Sequence, residues 1–206
     1  MTSNNQWKLT ELASTQGGFF TASQAKQCGI ANTNHSYHVK SGQWQRWQRG
    51  IYRLTALPLP VNPDLHALTL YLRGRDQELQ GVFGLETAAS LYELGDFMPS
   101  KAQIVVSPDF ERSNVPKNIV LLRSHVSKSE WQWFNGLPVT TPLRTIVDLV
   151  DSGGIETEAI KVAFLTARNR GEITSANIAN YTEGVSPAVA RLLAEWEGDY
   201  GKIRKS

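Results

Sequence analysis

The chain has 206 residues, of which 41% are hydrophobic and 19% charged, with a formal net charge of +2. This is the make-up of an ordinary globular protein, long enough for one large domain or two small ones. Its single cysteine, Cys28, excludes an intrachain disulfide and a cysteine-rich zinc site. Met1–Trp7 is polar and no apolar run approaches the ~18 residues of a membrane span, so a cytoplasmic protein with no membrane association is expected.

The charge is unevenly placed. Between Met1 and Thr55 there are six basic residues (Lys8, Lys26, Lys40, Arg46, Arg49, Arg53) and one acidic residue, Glu11, so this segment is formally +5 and the remainder −3. Trp7 to about Gln16 is expected to be a first helix, with Leu9, Leu12 and Ala13 at helical spacing and Gly17-Gly18 as its stop. Thr21 is positioned to cap a second helix, with Gln24 at the capping-box position and Gly29 just past its end. Asn32 is expected to cap a third helix that ends near Ser41-Gly42. The tight turn between these two helices is helix-turn-helix grammar. Trp44–Trp47 and Ile51–Leu54 read as the two short strands of a wing. Trp44 and Trp47 stand three apart, which a strict strand would aim at opposite faces.

The stretch Ala56-Leu-Pro-Leu-Pro60, with Pro63 behind it, is the expected linker, about 56–63, between a domain over 1–56 and another over 64–206. Beyond it, 64–73 and 85–94 read as helices, and 103–107 and 119–124 as strands. Thr141 is positioned to cap a helix with Pro142 in its first turn and Leu143, Ile146, Val147 and Val150 as a one-sided apolar stripe. Glu156–Arg170 reads as a helix whose end charges complement its dipole, and Ser186-Pro187 opens a last helix through about Glu197. The expected fold class is α+β: a winged helix-turn-helix followed by a mixed α+β domain with a helical last third.

A basic segment with this punctuation points to double-stranded DNA. If Val39 packs inward, His35 lies on the same side with His38 flanking it, leaving Thr33, Asn34, Ser36, Tyr37 and Lys40 outward. Asn is suited to bidentate contact with adenine, whereas Ser, Thr and Lys contact mainly phosphates. Arg46, Arg49 and Arg53 on the wing are the expected phosphate or minor-groove contacts.

Signals for catalysis are weak. Cys28, His35 and His38 lack a fourth ligand in sequence, so no metal site is expected. Pro108-Asp109 follows a strand as in restriction-type nucleases, but the next strand supplies neither the acid nor the lysine such a site needs. Arg144 and Asp148 are four apart on one helix and read as an ion pair. No catalytic residue and no cofactor is expected.

Two stretches resemble the AbiEi-type antitoxins of bacterial type IV toxin–antitoxin systems. The first is Gly17-Gly-Phe-Phe-Thr-Ala-Ser-Gln-Ala25 followed by Ser41-Gly-Gln-Trp-Gln-Arg-Trp-Gln-Arg-Gly-Ile-Tyr-Arg-Leu54, similar to that family's winged helix-turn-helix. The second is Gly136-Leu-Pro-Val-Thr-Thr-Pro-Leu-Arg-Thr-Ile-Val-Asp-Leu149, similar to its C-terminal signature. The resemblance implies a transcriptional autorepressor that binds inverted repeats upstream of its own operon, counteracts a nucleotidyltransferase-like toxin, and serves in phage defence. Two other readings remain open from the residues. One is a stand-alone regulator with a ligand- or partner-sensing C-terminal domain. The other is an enzyme with an unrecognised site.

Overall fold

A computed structural model describes residues 2–74, 78–112, 115–181 and 185–203. The chain forms two compact units, Met1–Leu79 with Trp133–Leu137, and Gln80–Gln132 with Pro138–Ser206.

The first unit contains α1 (Thr2–Ser14), β1 (Phe19–Thr21), α2 (Ala22–Gln27), α3 (Asn32–Lys40), β2 (Trp44–Gln48), β3 (Ile51–Leu54) and α4 (Pro63–Tyr71). β3 is the middle strand of an antiparallel sheet ordered β1-β3-β2. This is the expected winged helix-turn-helix with one added strand, β1. The Thr21 capping box is present in full. The Thr21 amide donates to Gln24 Oε1 at 2.8 Å and the Gln24 amide donates to Thr21 Oγ1 at 3.1 Å. Such a cap stabilises a helix by about 1 kcal/mol, which matters for a helix as short as α2. The cap of α3 differs from expectation. Ala31 holds that position without a side-chain bond, and Asn32 is the first helical residue.

The sheet is covered on both faces, because successive strand side chains alternate. Phe20 packs edge-on to Trp44 at 4.8 Å, in a cluster with Leu9, Ala13, Ala25, Ile30 and Leu54. Its neighbour Phe19 packs edge-on to Trp47 at 5.1 Å, in a cluster with Ile51, Ala67 and Leu70. The two tryptophans thus fall on opposite faces, as their spacing of three implies.

Ala67 and Leu70 belong to α4, so the unit does not end at the proline-rich stretch. Leu57 packs on the first cluster, and Trp47 Nε1 donates to Asp64 Oδ1 at 3.0 Å. The boundary expected at 56–63 is therefore displaced: the first unit runs on to Leu79. A sheet with two apolar faces needs a second cover, and α4 is it.

The elements that follow are β4 (Gly81–Phe83), α5 (Leu85–Leu91), β5 (Ala102–Val106), β6 (Ile119–Arg123), β7 (Trp131–Phe134), β8 (Leu137–Thr140), α6 (Pro142–Ser152), α7 (Thr157–Asn169), α8 (Ser175–Tyr181) and α9 (Pro187–Ile203), all in the second unit except Trp133–Leu137 of the β7–β8 hairpin. The sheet order is β6-β5-β4-β8-β7. β4 is antiparallel to β5, while β5–β6 and β4–β8 are parallel. Asn135 (φ 50°) and Gly136 (φ 77°) form the two-residue turn between β7 and β8, as the Asn-Gly hairpin signal requires.

The Thr141 cap and Pro142 start of α6 are as expected, with the Arg144 amide donating to Thr141 Oγ1. The one-sided stripe is not. Every residue from Pro142 to Leu149 is buried, Arg144 and Asp148 included. α7 and α9 complete the helical last third, with Phe164 and Trp196 in tilted contact at 5.6 Å.

Candidate nucleic-acid interface

The inward side of α3 is aromatic rather than aliphatic. His35, only 6% exposed, lies 5.1 Å from the Trp44 ring and 5.6 Å from Tyr52. His38 stacks on Trp44 at 4.6 Å with an interplanar angle of 17°, and its Nδ1 is 2.7 Å from Gln43 Oε1. Val39 packs partly buried on the same cluster. A helix with little aliphatic surface is thereby held by ring contacts, each worth about 0.5–1.5 kcal/mol beyond area burial.

This anchoring fixes what α3 presents outward. Thr33, Asn34, Ser36, Tyr37 and Lys40 are all exposed, and Tyr37 keeps 66% of its surface free. Four of them carry neutral hydrogen-bonding groups and one a cation. Neutral hydrogen-bonding groups of this kind are suited to base edges, and a single cation to modest phosphate attraction. Arg46 on β2 and Arg49 in the following turn are also exposed.

Arg53 does not join them. It is 8% exposed and its Nη2 donates to the Leu57 carbonyl. β3 is the central strand with both faces covered, so it has no outward side on which to place a charged residue. The expected DNA contact at Arg53 becomes a brace for the loop after the wing.

Gln43, which holds His38, and Tyr52, which flanks His35, were not among the expected site residues. The proximity of Gln43 to the end of α3 was a usable signal; the position of Tyr52 depends on strand pairing.

The remaining candidates resolve in chemical terms. Burial pushes the Cys28 thiol above its usual pKa, with nearby Lys8 partly opposing it, so it is a poor thiolate. No group of three or more metal-ligating side chains is found among the described residues, and no described helix is long and apolar enough to cross a membrane.

In the second unit, Arg144 is the hub of a largely buried polar cluster. Its Nε donates to Asp148 Oδ1 at 2.8 Å, Nη1 to Glu130 Oε1 at 2.7 Å and to the His125 carbonyl at 3.1 Å, and Nη2 to Ser124 Oγ at 2.8 Å. Tyr181 Oη donates to Glu130 Oε1 at 2.6 Å, and the Ser127 amide donates to Glu130 Oε2 at 2.7 Å. Burial pushes the Glu130 carboxyl upward, but the hydrogen bonds from Tyr181, Ser127 and Arg144 outweigh it and hold the pKa at about 2. The ion pair expected of Arg144 and Asp148 is thus one spoke of a pin joining α6, α8 and the segment after β6.

No curated protein matches the chain. Among solved structures, the RV2827C protein from Mycobacterium tuberculosis is similar in fold, with a TM-score of 0.57 at 11% identity, covering 94% of this chain and 75% of that one. The stretch 136–149 lies outside the part of the chain that a family model covers. Residues 8–55, the α1-to-wing portion of the first unit, match the family of transcriptional regulators described as AbiEi antitoxins.

Proposed function

We propose that the chain is a DNA-binding antitoxin and transcriptional autorepressor of a type IV toxin–antitoxin operon. The first unit binds inverted repeats in double-stranded DNA upstream of its own operon. Thr33, Asn34, Ser36, Tyr37 and Lys40 enter the major groove, and Arg46 and Arg49 contact phosphates or the adjacent minor groove. The second unit counteracts a nucleotidyltransferase-like toxin in the cytoplasm. The observation that carries this reading is the polar outward face of α3, held rigid by His35 and His38, within the segment that matches the regulator family. The resemblance of Gly136–Leu149 to the family's C-terminal signature supports the toxin-directed role.

The test is a fluorescence-anisotropy titration of the chain with the DNA upstream of its own gene and with a scrambled duplex, at two salt concentrations. Preferential binding to the upstream DNA that weakens with salt is expected. Equal affinity for both duplexes would overturn the operator reading, and no binding to either would make the first unit a protein-contact module. Growth rescue on co-expression with a downstream nucleotidyltransferase-like gene checks the antitoxin role.

A further inference from the structure

β6 is an outer strand of the second unit's sheet, and its pairing with β5 fixes which backbone groups it leaves open. The Ala102 amide donates to the Asn118 carbonyl and the Ser124 amide donates to the Val106 carbonyl, each at 3.0 Å. In the parallel register that pairs Ala102 with Ile119 and Val106 with Arg123, even-numbered residues of β6 point their backbone groups at β5. The odd-numbered residues Ile119, Leu121 and Arg123 point theirs away; of these the Ile119 amide is already taken by the Pro116 carbonyl at 3.3 Å. No described strand pairs with them on that side. The five-residue strand contains no proline, lysine or bulge, and its one charged residue is the terminal Arg123.

We infer that this edge is an interface for a second copy of the same chain, paired antiparallel about a twofold axis at Leu121. In that register Leu121 and the partner's Leu121 exchange two N–H···O=C bonds. The Arg123 amide donates to the carbonyl of the partner's Ile119, and the partner's Arg123 amide donates to the Ile119 carbonyl. The side chains agree with the same register. Val120, 47% exposed, falls beside the partner's Leu122, itself half-buried in one copy. Arg123 falls opposite the partner's Ile119, so no like charges face one another across the axis. A backbone ladder, an apolar pair and the absence of charge repulsion thus coincide in one self-complementary register. An isologous dimer is the simplest assembly such an edge makes, and a twofold object suits an inverted repeat. The pairing itself does not depend on DNA.

The full chain without DNA is examined by light scattering over a range of concentrations, beside Val120→Lys, which changes an exposed side chain and leaves the β5 ladder intact. A concentration-dependent dimer is expected, with its dissociation constant raised at least ~10-fold in the variant and the circular dichroism unchanged. A second measurement fixes the register. In a Cys28→Ala background, Leu121→Cys brings two thiols opposite each other at a Cα separation of about 5.5 Å, within disulfide reach. It is expected to give an oxidised species of about twice 22.9 kDa, and Val120→Cys to give far less. A wild-type chain that is monomeric throughout, a dimer indifferent to Val120→Lys, or equal cross-linking at both positions would overturn the assignment. Because no DNA is present, such a failure is separate from any failure of operator binding.

Discussion

Arg144 Nε donates to Asp148 Oδ1 at 2.8 Å across one turn of α6, while Asp148 Oδ2 is buried with no hydrogen-bond partner among the described residues. The carboxylate is half satisfied. Burial raises its pKa from 3.8 to about 6, with Arg144 opposing the rise and Glu130 and Asp151 adding to it. The folded state therefore holds this proton more tightly than the unfolded chain does. Asp148 favours folding fully below its unfolded pKa, and that contribution is lost as pH rises through about 6. Asp148→Asn should gain stability relative to wild type between pH 4.5 and 7, on the order of 1–3 kcal/mol. Urea unfolding of both proteins across that range checks it; parallel pH profiles would contradict it.

Glu130 should behave with the opposite sign. Its folded-state pKa of about 2 lies below the ordinary 4.5, so its contribution is present above pH 4.5 and lost as pH falls through about 2. Removing the shared cation strands both carboxylates, and Arg144→Ala should cost about 3–5 kcal/mol at pH 7. Thermal melts at pH 7 and pH 3 should show the deficit shrinking at the lower pH.

On the wing, the Arg46→Ala/Arg49→Ala double variant should weaken binding to every duplex and flatten the salt slope by about 2. Arg53→Ala is the contrasting case. It should leave the slope unchanged and lower stability by about 1–3 kcal/mol, because a buried bond to the Leu57 carbonyl is lost. A salt slope unaltered in the double variant would remove Arg46 and Arg49 from the interface.

Asn34→Ala should reduce discrimination more than affinity, by about 1–3 kcal/mol between cognate and scrambled DNA. Competition titrations read this directly. An equal loss on both duplexes would mean that Asn34 contacts phosphate rather than a base.

Gly17 has φ +65°, and a Cβ placed there would lie 2.6 Å from His66 Nδ1. Gly17→Ala should therefore destabilise by more than the ~1–2 kcal/mol that a left-handed conformation alone costs. Adding His66→Ala should return the steric share. A double-mutant cycle in urea measures the coupling; strict additivity would show that the backbone strain alone is responsible.

The sequence by itself determined the features whose causes are local. The Thr21–Gln24 capping box, the Thr141-Pro142 helix start and the outward set Thr33, Asn34, Ser36, Tyr37 and Lys40 all follow from spacing within a turn or two of helix. Caps and helical periodicity act between near neighbours, so they are visible without knowledge of what packs where. The Asn135-Gly136 hairpin turn was equally local and equally legible, yet the strands around it were not among the expected elements.

Tertiary structure decided what depends on distant partners. β1 is three residues long and exists as a strand because β3 lies beside it. Arg53 turned inward because β3 is covered on both faces, and α4 joined the first unit because Phe19 and Ile51 needed a second apolar cover. The buried polar side of α6 is the same kind of fact. Arg144 and Asp148 are four apart in sequence, but only Glu130, Ser124 and the His125 carbonyl, brought in from other segments, make their burial tolerable. Long-range pairing sets the environment of a side chain, and environment decides whether an arginine meets solvent or becomes part of the core.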